Sequence, residues 1–266
     1  MSTLRITIAD GDHYDVSLTP FDKMPVRDFI RLAESEDEQG GTQLERDKNR
    51  LIRITGAPER FIRYMLPEEV ERTYRYVEEI LTRSQENAGR LSKVHETLAG
   101  WHEAHGRDWT VDEARAVMED LGLFRPTITV NEEEFSAKPL GKASYGQWID
   151  LEAAVHELKD SPESELYVRS LAIMMHGQDG SYPVQDRDEQ DAEYENRCEV
   201  YTKRRHVLFM GAPWVDVMGC AAFFFFNDQR YAAICNPSMT RFRNLSAPSP
   251  SVGQRIMPSD GEPMLS

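Results

Sequence analysis

Residues 4–33, LRITIADGDHYDVSLTPFDKMPVRDFIRLA, and residues 127–154, TITVNEEEFSAKPLGKASYGQWIDLEAA, follow the same order of signals. Each opens on a short alternating run, Ile6 and Ile8 or Ile128 and Val130, and then passes through an acidic turn. A second extended stretch carries a proline, Pro20 or Pro139. An amphipathic helix with an aromatic near its start closes each passage, Phe29, Ile30, Leu32 in one and Trp148, Ile149, Leu151 in the other. A Gly-Ala-Pro follows further on in both halves, at Gly56-Ala57-Pro58 and Gly211-Ala212-Pro213. This pattern predicts an α+β fold of two similar small units, each a β-hairpin packed against helices, joined by a helical connector.

The predicted divisions are a first α+β unit over 1–85, a helical connector over 86–125, a second α+β unit over 126–235 and a Pro/Ser-rich extended tail over 236–266. A chain of 266 residues has room for two domains of about 100 residues each plus connectors. In the first unit, Asp10-Gly11-Asp12 between alternating runs is a hairpin signal. Pro25 then precedes a helix, and the acidic stretch 34–41 reads as a loop. A helix over Gln43–Thr55 is expected to turn Leu44, Leu51, Ile52 and Ile54 inward. The short helix ERFIRYM follows, and Pro67 opens a longer one with glutamates in its first turn, where the helix dipole favours negative charge. In the connector, Thr110-Val-Asp-Glu113 is a capping box and Gly122 a helix stop. The second unit carries an acidic insertion, GQDGSYPVQDRDEQDAEYENR, read as an exposed loop leading into a helix. Trp148, Ile149, Leu151, Phe223, Phe224, Phe29 and Ile30 form the expected core.

Net charge is −15, with charged residues at 29% and hydrophobic ones at 40%. A polyanion is a poor partner for a nucleic-acid backbone or an anionic membrane surface, so neither is expected. Cys198, Cys220 and Cys235 form no CxxC knuckle, and three is an odd number for a disulfide framework, so reduced thiols are expected. The apolar run Val217–Phe226 is too short to span a bilayer and reads as a buried helix or strand.

The histidines in KVHETLAGWHEAHGRDW invite a metal reading. His95 and His102 share a helix face, His105 lies three further on, and Glu96 and Glu103 are near. The spacing fits no HExxH or HxxEH motif, so surface histidines are the preferred reading and no metal is expected. GxSxG, GxxxxGK[ST] and GxGxxG are all missing from the sequence, so no nucleophile elbow, nucleotide site or cofactor is expected. Asp179, Gly180, Asp186, Asp188, Asp191 and Glu195 lack the ladder of an EF-hand. The basic run Lys203-Arg204-Arg205-His206 reads as a partner for the acidic segment before it or as a helix cap. Trp214, following Pro213 at a helix start, is the candidate partner-contact residue.

Ile128-Thr129-Val130, Phe135, Lys138-Pro139, Ser144-Tyr145-Gly146-Gln147-Trp148-Ile149-Asp150-Leu151-Glu152 and Ala212-Pro213-Trp214-Val215-Asp216-Val217-Met218-Gly219-Cys220-Ala221-Ala222-Phe223-Phe224 together resemble a family of small proteins of tailed bacteriophages. Ile52-Arg53-Ile54-Thr55-Gly56-Ala57-Pro58 is similar to the closing stretch of a companion phage unit. The family is that of tail assembly chaperones and related virion-morphogenesis proteins. The resemblance covers about two thirds of the chain and rests on packing motifs. It implies a non-enzymatic protein without cofactors that binds apolar segments of tape-measure or other tail subunits in the host cytoplasm during assembly. Self-association is compatible with it. The alternative from another class is a structural component of the mature virion, a connector, hub or internal capsid protein held by its neighbours.

Overall fold

Both alternating runs become hairpins. The computed structural model describes residues 2–7, 11–34, 42–137, 143–158, 161, 163–177 and 182–227. Ile8, Asp10, most of the 34–41 stretch, Lys138-Pro139, Asp179-Gly180, Cys235 and the 236–266 tail lie outside the described residues. Strand β1 (Ser2–Thr7) pairs antiparallel with β2 (His13–Leu18), Thr7 opposite His13. Period-two alternation puts Leu4, Ile6, Val16 and Leu18 on the buried face. On the other face Arg5 and Asp15 stand directly opposite and join through two bonds of 2.7 and 3.0 Å.

The buried face packs on α2 (Gln43–Thr55) and α3 (Glu59–Ile62), closing a small core around Leu51, Ala57, Phe61 and Ile62. A Thr42/Glu45 capping box starts α2, and Gly56 at φ 65° ends it. The expected inward position of Leu44 is corrected: at 81% exposure it belongs to a first turn that stands clear of this core.

The hairpin leads through a 3-10 turn (Phe21–Lys23) into α1 (Val26–Glu34). Helix α4 runs unbroken from Pro67 to His105, 39 residues and about 58 Å. Thr73, Val77, Ile80, Leu91, Val94 and Leu98 keep one face buried along it. The expected boundary at 85/86 therefore falls inside a helix. No proline interrupts TRSQENAGRL, and the lone Gly89 costs only about 1 kcal/mol, too little to break a helix held by packing at both ends. Helix α5 (Val111–Asp120) has the Thr110/Glu113 capping box and stops at Gly122, φ 68°, where Leu123 N–H bonds back to Met118 O at 2.8 Å.

The second sheet differs from the first. Strands β3 (Thr127–Val130) and β4 (Glu133–Ser136) meet at a two-residue turn, Asn131-Glu132, with φ of 50° and 68° as a type I′ turn requires. After α6 (Tyr145–Glu157) and α7 (Glu163–Met174), a short β5 (His176–Gly177) adds to β4. Helices α8 (Asp191–Met210) and α9 (Trp214–Asn227) close the described chain.

Most buried side chains form one cluster that ignores the expected divisions. It takes Phe29 and Leu32 from α1, Val77 and Leu98 from α4, Met118 from α5, Phe135 from β4, Trp148 from α6, Phe209 from α8 and Phe223 from α9. Helix α1, assigned from sequence to the first unit, thus completes the core of the second. An isolated antiparallel bridge pairs Pro25 with Pro213. Its bonds are made by the neighbours, Val26 N–H to Ala212 O at 2.9 Å and Trp214 N–H to Met24 O at 2.8 Å. Proline lacks an N–H, and at this non-hydrogen-bonded pair none is needed.

On α6 the buried row is Gln147, Trp148, Leu151 and Ala154, at i, i+1, i+4 and i+7, one side of the helix. Ile149 lies off that row and is 49% exposed, correcting its place in the expected core. Helix α9 is buried almost all round, including Phe223, Phe224 and Phe226. Gly219 lets it approach the chain before β3: a Cβ there would meet Leu123 O at 2.8 Å and Arg125 Cγ at 2.7 Å. Among the described residues no helix is long and apolar enough to cross a membrane.

Candidate functional site

The groups outside the plain apolar core gather where α6, α7 and α8 meet. Helix α7 is the central element: Leu166, Tyr167, Val168, Leu171, Ala172 and Met174 are buried. Glu165 and Arg169, one turn apart, are only partly buried and mark its outer strip. A helix end leaves carbonyls without intrahelical partners. The flanking helices supply donors to this end. Gln147 of α6 donates from Nε2 to Ile173 O at 2.8 Å, while its Oε1 accepts from Ser144 N–H at 2.9 Å. Arg205 of α8, fully buried, donates to Met175 O at 2.5 Å. A cation at a helix C-terminus is favoured by the helix dipole. The Arg205 guanidinium also lies 4.2 Å from the Tyr201 ring centroid and 5.2 Å from that of Phe135.

Between α6 and α8, over the outer strip of α7, runs a cleft of about 170 Å³. Its walls carry Asp150 and Glu157 from α6 and Tyr194, Glu195, Cys198 and Glu199 from α8, with Arg169 and Ile173 below. Small-molecule sites typically occupy about 300–1,000 Å³, so this cleft suits a side chain better than a free ligand. Four carboxylates face one guanidinium. Glu199 pairs with Lys203 one turn along. Asp150 accepts a hydrogen bond from Tyr182, whose phenol is pushed far up by burial first and then by that carboxylate. Burial, and then a hydrogen bond with Cys198, push Tyr194 up to about 12. Cys198 lies beside both phenols, which stay protonated at neutral pH.

A second cleft, of about 220 Å³, lies beside β2. Asp15, Asp28, Arg31 and Arg53 line it with balanced charge, together with Tyr14 and Tyr76. Tyr76 donates to Thr19 O at 2.8 Å, and burial raises its phenol to about 12.

The residues singled out from sequence are scattered. His95 is exposed on α4. His102 faces Asp108 at 3.1 Å, and the His105 ring stacks on Trp101 at 4.1 Å. Among the described residues no group of three or more His, Cys, Asp or Glu side chains could hold a metal ion. Lys203-Arg204-Arg205-His206 diverges, because consecutive residues on a helix point about 100° apart. Lys203 turns to Glu199, Arg204 reaches Glu133 at 3.1 Å, and Arg205 enters the core. His206 is half-buried, and burial first and then Arg169 lower its pKa. The open face expected for Trp214 is corrected: it is 5% exposed and stacks on Phe29 with ring centroids 4.6 Å apart. Its helix start is roofed by α1, which nothing local to residue 214 announces. The cleft residues were missed. The one available signal is the spacing of Cys198, Thr202, Arg205 and Phe209, which sets a cation on the buried stripe of α8.

Compared with protein-family models, curated proteins and solved structures, the chain matches none.

Proposed function

We propose that the chain is a non-enzymatic morphogenesis protein of a tailed bacteriophage, similar to a tail assembly chaperone, which acts in the host cytoplasm by binding apolar segments of tail subunits. The observation that carries this reading is how the motif Ser144–Glu152 divides. Gln147, Trp148 and Leu151 are buried, whereas Tyr145 and Ile149 stand 73% and 49% exposed. Half of the motif packs α6 in place, and the other half offers apolar side chains to a partner beside an acidic cleft. Apolar anchors rimmed by polar groups are the usual anatomy of protein-binding surfaces. The two hairpin-and-helix passages support, in this reading, a duplicated scaffold carrying that face. The rival reading, a structural virion component, gains support from the proline-rich stretch after residue 236, which suits draping over a neighbour.

The test is complementation of a phage lacking this gene with Tyr145→Asp/Ile149→Asp, paired with mass spectrometry of purified virions. A folded double variant that makes few or defective tails, with wild-type protein absent from virions, is the expected outcome. Many copies in the virion would favour the structural reading, and normal tails from the double variant would end the assignment of this face.

A further inference from the structure

The second strand of each hairpin has one edge turned away from the first strand, and the two edges are treated differently. In the second sheet that edge of β4 is taken: β5 lies antiparallel to it, with Phe135 opposite Gly177 and Ser136 opposite His176. In the first sheet β2 forms backbone bonds with β1 alone among the described residues. The cleft of about 220 Å³ beside β2 lies along this open edge. Tyr14, Asp15, Val16 and Ser17 all line it, although their side chains alternate between the two faces, and no residue of β1 does. A space that touches both faces of β2 and misses β1 lies at the edge away from β1. We propose that this cleft binds an extended peptide segment of another protein, which adds to β2 as a third strand.

The strand itself is suited to pairing. Exposed edges are usually blunted by proline, lysine or a bulge. HYDVSL contains neither residue, and it pairs one for one with β1 from His13 to Leu18 without a bulge. The far wall of the cleft limits what can enter. It is built by Asp28, Arg31 and Leu32 of α1 and by Arg53, Ile54 and Thr55 at the end of α2. A gap of about 220 Å³ in front of that wall admits part of one strand and excludes a folded sheet, which rules against the hairpin of a second copy. A short segment suffices, since β5 adds to β4 through two residues. The lining gives the chemistry of the guest. Val16, Met24 and Leu32 are buried at its base, whereas Asp15 and Arg31 stand exposed at its mouth. Side chains of a strand alternate, so the segment that fits carries small apolar residues at one parity and polar ones at the other. Main-chain bonds to β2 supply affinity, and the apolar base selects the side chains. The site shares no residue with the Tyr145 and Ile149 face.

The probe is a pool of acetylated hexapeptide amides that alternate Ala, Val or Leu with Thr, Lys or Glu, selected for binding to the full-length protein. The tightest binder is then remade with a single N-methyl group at each position in turn. A strand turns alternate N–H groups toward its neighbour. N-methylation at those positions should weaken binding about tenfold or more, and at the intervening positions by no more than about twofold. Hydrogen exchange followed by NMR should show alternate amides of His13–Leu18 slowed about tenfold or more in the complex. The Tyr145→Asp/Ile149→Asp protein should bind the same peptide equally well, which keeps this test separate from that of the α6 face. A pool without binders, sensitivity to N-methylation that does not alternate, protection away from β2, or lost binding in the double variant would each overturn the proposal.

Discussion

Gly219 sets how closely two parts of the chain approach. An alanine there gains about 1 kcal/mol of helix propensity, but its Cβ would press on the Leu123 carbonyl, and overpacking costs about 1–3 kcal/mol. The backbone cannot give way as a flexible side-chain tip would, so the clash should win. Gly219→Ala is expected to lower Tm, at about 2–4 °C per kcal/mol for a chain of this size, and an unchanged or higher Tm in a thermal melt would refute the close approach. Glu113 offers a pH test. The Arg107 guanidinium first, then the Thr110 N–H, hold its carboxyl down at about 2, below the ordinary value of about 4.3. A depressed folded-state pKa adds stability above the ordinary value and loses it as pH falls toward 2. The wild-type urea midpoint should therefore drop more between pH 5 and pH 2 than that of Glu113→Gln, and parallel profiles would remove Glu113 from the account. At this scale the sequence was legible where the signal is local: Thr110, Glu113 and Gly122 do what their spacing says. Leu44 and Ile149 are apolar yet lie off the buried rows of their helices, which residue type alone does not reveal.

Among the elements, α1 and α9 depend on each other. Phe29 and Trp214 lie nearly parallel, with 9° between ring planes, and the Pro25–Pro213 bridge holds the chain beside both rings. Phe29→Ala and Trp214→Ala should each cost about 3–5 kcal/mol, and the double mutant should fall short of additivity by about 0.5–1.5 kcal/mol. Denaturant titration of the four proteins measures this, and strict additivity would mean the rings do not share an environment. Element types and most limits were readable from capping boxes, prolines and periodicity. Partners were not. Residues 25 and 213 are remote in sequence, and a single bridge leaves no periodic trace. Arg205 shows the same limit: Lys203 and Arg204 beside it in the basic run face outward, and only the fold reveals a carbonyl at the end of α7 waiting for a donor.

For the whole molecule, a cluster that draws on α1, α4, α5 and every later helix predicts one cooperative unfolding transition. Far-UV circular dichroism and tryptophan fluorescence should give coincident thermal curves, with Trp148 and Trp214 both reporting from the core. Two separated transitions, one assignable to residues 1–85, would reinstate independent units. The α+β class was legible because hairpins and amphipathic helices each announce themselves over a few residues. The division into parts was not, because it depends on which apolar faces meet.

The pairing of Pro25 with Pro213 also bears on how the protein is made. At synthesis rates of about 5–20 residues per second, roughly 10–40 s separate the appearance of these two prolines. Throughout that interval Met24, Val26, Phe29 and Leu32 have been translated but lack the helix that buries them. A nascent chain stalled before α9 should hold the first hairpin's small core and an open apolar face on α1. That interval is when ribosome-associated factors would have most to bind, and shortening it with faster codons downstream should reduce capture of the nascent chain.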